Sequence, residues 1–272
     1  MNNIFNIKRF GLAFRKDILE NWKRYTLLFL TLFGLMVVVT LYQTRDYCKF
    51  NSINGNLLYL NESMLNFLSI LFFAAGIWFA STFATPMNSK LKRLSYLVTP
   101  ASNLEKYLTR WIITTIGFVV AFFVALWMAD LLRVSICVIA YPDIEIKFID
   151  IPKYIHDVAE KSVFFGFLHL YFLLQSLFLL GATVWEKASF IKTFTAVAAF
   201  IGAFIVICRW TILLFYENID GYGNVIQSFE LSRTLSQEQA LLLLDIIMAI
   251  FTLTFWILAF FRIRESEITK RI

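Results

Sequence analysis

The chain has 272 residues, of which 59% are hydrophobic, 18% aromatic and only 16% charged, and its mean hydropathy is +0.69. Soluble domains carry about a quarter charged residues, so a soluble core is excluded and several near-continuous apolar runs read as membrane helices. The net charge of +6 informs through its placement, and nothing in it points to nucleic acid.

The first element is the basic segment 1–24. Ile4, Ile7, Phe14 and Ile18 fall near one helical face with Phe10 beside them, while Lys8, Arg15 and Lys16 fall mostly elsewhere. That pattern suits an amphipathic helix lying in the headgroup layer; the plainer reading is a positively charged flank of the first span. Six apolar segments follow, at about 25–42, 66–85, 111–132, 162–184, 193–216 and 240–261, and residues 262–272 form a tail. Each segment is close to the length that crosses a hydrocarbon core of about 30 Å at about 1.5 Å per residue. The runs are continuous rather than alternating, which selects helices over a barrel. Span one is expected to be a retained anchor, since TLYQTRDY after it offers no small-residue cleavage site.

Between the spans lie polar stretches. Residues 43–65 contain NSINGN, a turn signal, and 217–239 contain DGYGN, another. Ser236 followed by Gln239 can cap the start of span six. Residues 133–161 hold Asp143, Glu145, Asp150 and Asp157, and the alternation of Ile144, Ile146 and Phe148 allows a short strand there.

Lys and Arg fix the expected orientation. One side of the membrane receives Lys8, Arg9, Arg15, Lys16, Lys23 and Arg24, then Lys90, Lys92, Arg93, Lys106 and Arg110, then Lys187 and Lys192, and finally Arg262, Arg264, Lys270 and Arg271. The other receives only Arg45, Lys49, Arg133, Lys147, Lys153, Lys161 and Arg233. Both termini are therefore expected in the cytoplasm, in keeping with an even number of spans.

The stretch LSYLVTPASNLEKYLTRW, residues 94–111, separates spans two and three. Thr99 and Pro100 can serve as N-cap and first helical residue, or Ser102 and Glu105 can form a capping box. Leu104, Tyr107, Leu108 and Trp111 follow i, i+3, i+4, i+7 spacing and make one apolar face, with Lys106 and Arg110 on another. The expectation is a short amphipathic helix at the cytoplasmic mouth of the bundle, its apolar side on the bilayer or the bundle and its polar side offered to a soluble partner. A simple helical extension of span three is the alternative.

Catalytic signatures are missing: the sequence has no GxxxxGK[ST] phosphate loop, no HExxH pair and no GxSxG elbow. Cys48, Cys137 and Cys208 have no ligand spacing, and His156 and His169 are far apart. His169 reads as a lone packing residue of span four. Asp130 and Arg209 lie toward the outer ends of spans three and five; either both snorkel to the interface, or they pair across two helices near an exit pathway.

The run VTPASNLEKYLTRW resembles the PAS-x-LEK-aromatic-L-x-R-W signature of membrane subunits of bacterial ABC transporters, in the exporter-like permease class common in Bacteroidetes. Pro100, Ala101, Ser102, Leu104, Glu105, Lys106, Leu108, Arg110 and Trp111 match it, and Tyr107 stands at its aromatic position. The resemblance implies an all-α integral membrane protein of the bacterial inner membrane: six spans, an N-terminal interfacial helix and a coupling helix that includes residues 100–111. It implies a permease subunit that is no enzyme by itself. A separate ATP-binding subunit would bind and hydrolyse ATP, and a second permease copy would complete a dimer. The substrate is unidentified, and the aromatic, weakly charged spans favour something amphiphilic. A non-transporting scaffold or sensor subunit, docking a cytoplasmic partner through the same helix, is the alternative function.

Overall fold

The computed structural model describes residues 5–54, 57–85, 94–96, 98–142, 148–149, 163–185, 187–215 and 237–269. The elements in chain order are α1 (Ile7–Asn54), α2 (Leu57–Ser81), α3 (Asn103–Ile112), a π-helical turn (Ile113–Gly117), α4 (Phe118–Ala140), α5 (Val163–Val184), α6 (Ser189–Phe215) and α7 (Gln237–Thr269). No strand occurs among the described residues. Residues 144–147 of the expected strand, the DGYGN turn, Ser236 and the basic SKLKR run lie outside them.

Six helices are long and apolar enough to cross a membrane, with α3, the π turn and α4 forming one of them. The chain is a multi-pass membrane protein. The longest helix, α1, extends well beyond what a bilayer needs. At about 1.5 Å per residue, the 48 residues of α1 run roughly 70 Å, more than twice a hydrocarbon core. The basic N-terminal segment is therefore not set off by any break at residue 24; it continues span one. At the far end, residues 43–65 are helical on both sides of positions 55–56 rather than forming an open polar loop. No proline interrupts that stretch, and α1 is described up to the residue before Gly55, a residue type that favours helix stops.

Aromatic packing organises the interior. Phe72 of α2 meets Phe122 of α4 edge-on at 4.9 Å and Tyr171 of α5 at 4.6 Å, and Phe118 stacks near Phe79 at 5.8 Å. Gly76 makes room for this cluster: a Cβ there would lie 2.8 Å from the Tyr171 ring. Such edge and offset geometries add about 0.5–1.5 kcal/mol per pair beyond the area buried. A second cluster, with Phe83, Tyr107, Phe178, Leu179 and Ala259 buried, closes the bundle at the α3 end. α5 packs most extensively on α7, and α1 on α4. α6 is marginal: its large apolar residues, such as Phe200, Phe204 and Ile205, are exposed, as suits a surface that meets lipid or another helix.

Candidate coupling site at the capped helix

The stretch singled out by the sequence forms a capped helix. Of the two possible starts, the structure uses the capping box. Ser102 is the N-cap, its hydroxyl accepts from the Glu105 amide at 3.2 Å, and the Glu105 carboxylate accepts from the Ser102 amide at 2.9 Å. Thr99 instead donates to the Ser95 carbonyl, and Pro100 is exposed ahead of the cap. At its other end α3 does not stop. It passes through the π turn into α4, so the short amphipathic helix and the extension of span three are one continuous object.

Of the bilayer and the bundle, the apolar face rests on the bundle. The Tyr107 hydroxyl donates to the Trp256 carbonyl of α7 at 2.9 Å, and its ring meets Phe83 and Phe260 at 5.5 Å each. Trp111 stands perpendicular to Trp256 at 5.0 Å. Leu104 and Leu108 are half-buried.

The polar face corrects the expectation. Glu105, Lys106 and Arg110 are all buried rather than offered to solvent. Glu105 and Arg110 find their partners in the N-terminal part of α1. Glu105 Oε1 accepts from the Asn6 amide at 2.7 Å and from Arg9 Nη2 at 3.0 Å. Burial by itself would raise the Glu105 carboxyl; the amides of Ser102 and Asn6 and the Arg9 guanidinium outweigh it and hold the carboxyl below the usual carboxylate range. One helical turn and a half further on, Arg110 Nη2 donates to Asp17 Oδ1 at 2.6 Å and its Nη1 to the Phe83 carbonyl at 3.2 Å. The Tyr25 hydroxyl donates to the other Asp17 oxygen at 2.7 Å, and Asn21 Nδ2 donates to Asp17 Oδ1 at 3.2 Å. Lys16 Nζ donates to Thr99 Oγ1 at 2.6 Å, and Lys106 Nζ sits over the Tyr96 ring at 4.9 Å.

The chain thus folds its own basic N-terminal helix onto the polar side of α3 with two ion pairs, Arg9–Glu105 and Asp17–Arg110. Helical spacing explains the match. Arg9, Ala13, Asp17 and Asn21 are successive i, i+4 positions and make one stripe along α1 that is polar except at Ala13. The residues expected to face the bilayer lie off that stripe: Ile7 and Ile18 are exposed, while Phe10 and Phe14 are half-buried; Ile4 lies outside the described residues. Leu12, Leu19 and Trp22 are also exposed, with Arg15 between them, as are Leu94 and Val98 ahead of α3. Among the described residues, the exposed surface at this end is therefore the outer side of α1.

Asp130 and Arg209 are not brought together. Asp130 Oδ1 pairs at 2.7 Å with Arg133, one turn along α4, and Oδ2 accepts from the buried Ile149 amide at 2.9 Å. The expected end of span three at 132 leaves Arg133 in the following polar stretch, whereas α4 runs to Ala140 and carries Arg133 into the interior, fully buried. The pair anchors the segment at 148–149 to the bundle. Arg209 is exposed on α6.

Two polar features escaped the sequence reading. Gln175, fully buried in α5, donates to Thr115 Oγ1 of the π turn at 2.9 Å and accepts from Trp256 Nε1 at 3.2 Å, joining three spans. His169 is not alone: its Nδ1 lies 3.4 Å from Oδ1 of Asp245 on α7. Asp245 interrupts the run LLLLDIIMAI and carries the same signal that drew attention to Asp130. Cys137 and Cys208 are free thiols.

No family model matches the chain, and no curated protein or solved structure matches it.

Proposed function

We propose that the chain is the membrane-spanning permease subunit of an ABC transporter, coupling ATP hydrolysis by a separate subunit to movement of a substrate. The observation that carries this reading is the convergence of the motif residues. Glu105 and Arg110 bind α1 to the helix that becomes span three, and Ser102 caps that helix, so that a push on one is a push on both. A part that must pass motion from a soluble motor into two spans needs that rigidity. In this reading the termini lie in the cytoplasm of a bacterium, following the Lys and Arg bias. The ATP-binding subunit meets the outer side of α1, at Leu12, Arg15, Leu19 and Trp22, because the polar side of α3 is already occupied. A second permease copy completes the pathway. ATP and substrate must each favour one of the two bundle arrangements, since a ligand shifts an equilibrium only by its differential affinity.

The test is affinity purification of the full chain from native membranes in mild detergent, with mass spectrometry of what accompanies it. A stoichiometric ATP-binding protein, lost when Leu19→Glu and Trp22→Glu are combined, is the expected result. A folded, clean preparation without such a protein would overturn the permease reading in favour of a scaffold.

A further inference from the structure

We propose that His169 and Asp245 form an intramembrane proton-binding site that ties span four to span six. The inference stands whether or not the chain is a permease.

The two residues come from different helices, six residues into α5 and eight into α7. At about 1.5 Å per residue that is roughly 9 Å and 12 Å from the helix starts, inside apolar runs of both. Ionisable groups there are costly unless they neutralise one another. His169 Nδ1 is buried and has no hydrogen-bond partner among the described residues, yet it faces Asp245 Oδ1 at 3.4 Å. The side chains keep 30% and 25% of their exposure. α5 approaches Asp245 through Gly166, where even an added Cβ would remain in ordinary contact at 3.9 Å.

The proton balance is simple. With one proton on the imidazole, the pair is an imidazolium and a carboxylate and its net charge is zero. When that proton leaves, a neutral imidazole faces an uncompensated carboxylate. No other co-reactant is needed. The neighbouring charges do not take over this role. Arg209 on α6 makes no ion pair with Asp245, and Asp130 and Arg133 on α4 pair with each other. At the same end, Glu62 of α2 and Glu238 of α7 have side chains outside the described residues. On α3, which also packs on α7, Glu105, Lys106 and Arg110 lie at the opposite end. Proton occupancy therefore changes one electrostatic contact between α5 and α7, the most extensively packed pair of spans.

The chain has two histidines, which makes the test direct. The full chain carrying His156→Asn, labelled with 15N-histidine and placed in lipid nanodiscs, reports His169 alone by NMR between about pH 5 and 9, the window in which an imidazole titrates. The expected result is one protonation of His169 whose affinity changes by about tenfold or more on Asp245→Asn. In parallel, 13C-aspartate spectra of the unsubstituted chain should show one carboxyl signal changing at the same midpoint, a readout that does not depend on a variant folding. A His169 titration identical in Asp245→Asn, or a His169 signal that stays fixed over the range while every aspartate signal does too, would overturn the proposal. A merely structural contact would lower the melting temperature of Asp245→Asn without moving that midpoint.

Discussion

Glu105→Gln is the sharpest perturbation of the joint between α1 and α3. The substitution keeps the size of the side chain and one acceptor oxygen, but replaces the other oxygen with an NH2 group that faces donors. In the native joint the carboxylate accepts from Ser102, Asn6 and Arg9 at 2.9, 2.7 and 3.0 Å and is fully buried. Hydrogen bonds to a charged group contribute about 1.5–3 kcal/mol each, and one backbone donor would be left facing an amide. Arg9 keeps 38% of its side-chain exposure, so its share is discounted to under about 1 kcal/mol. The expected cost is then about 2–3 kcal/mol, which is roughly 30- to 150-fold in the population with α1 detached. Hydrogen exchange in nanodiscs should show that loss of protection over residues 9–21, with the amides of α5 unchanged. Unchanged protection in residues 9–21, or an equal loss across α5, would refute the argument that Glu105 acts as a local latch.

Other consequences can be measured on the same preparation. Because the folded Glu105 carboxyl is held below its ordinary value, its contribution is complete above about pH 4.3 and disappears as the pH falls below that through the folded value; residues 9–21 should lose protection in acid, and Glu105→Gln should remove that dependence. Asp17→Asn leaves Arg110 buried without its carboxylate and should cost about 3 kcal/mol in thermal unfolding, with part recovered by adding Arg110→Met. Gly181→Ala places a Cβ on Thr193 Oγ1 and 2.7 Å from its Cγ2, so the α5–α6 contact should lose about 1–3 kcal/mol; Thr193→Ala should restore only part, since a 2.9 Å contact with Cβ remains. Ala188, in the short turn before α6, has φ of 53°, and Ala188→Gly should raise the melting temperature through a gain of up to about 1 kcal/mol.

The amino-acid sequence by itself determined the class of the protein and the number of spans. Apolar runs of membrane length leave the backbone no other way to satisfy its hydrogen bonds than helix, and that requirement is local. The capping box was legible for the same reason, because Ser102 and Glu105 are three residues apart and need no distant partner. The direction in which α3 turned its polar side was decided only by the tertiary structure. Lys106 and Arg110 look like a solvated face until the stripe Arg9, Ala13, Asp17, Asn21 of α1 is laid against them, a pairing across about ninety residues that no local pattern encodes. The same holds for the intramembrane charges. Asp130 found Arg133 because α4 ran past the expected end of its span, and His169 found Asp245 because α5 and α7 pack side by side. Burial in an apolar bundle makes an unpaired charge so costly that each ionisable group takes whichever partner packing brings within reach, and packing is a property of the whole chain.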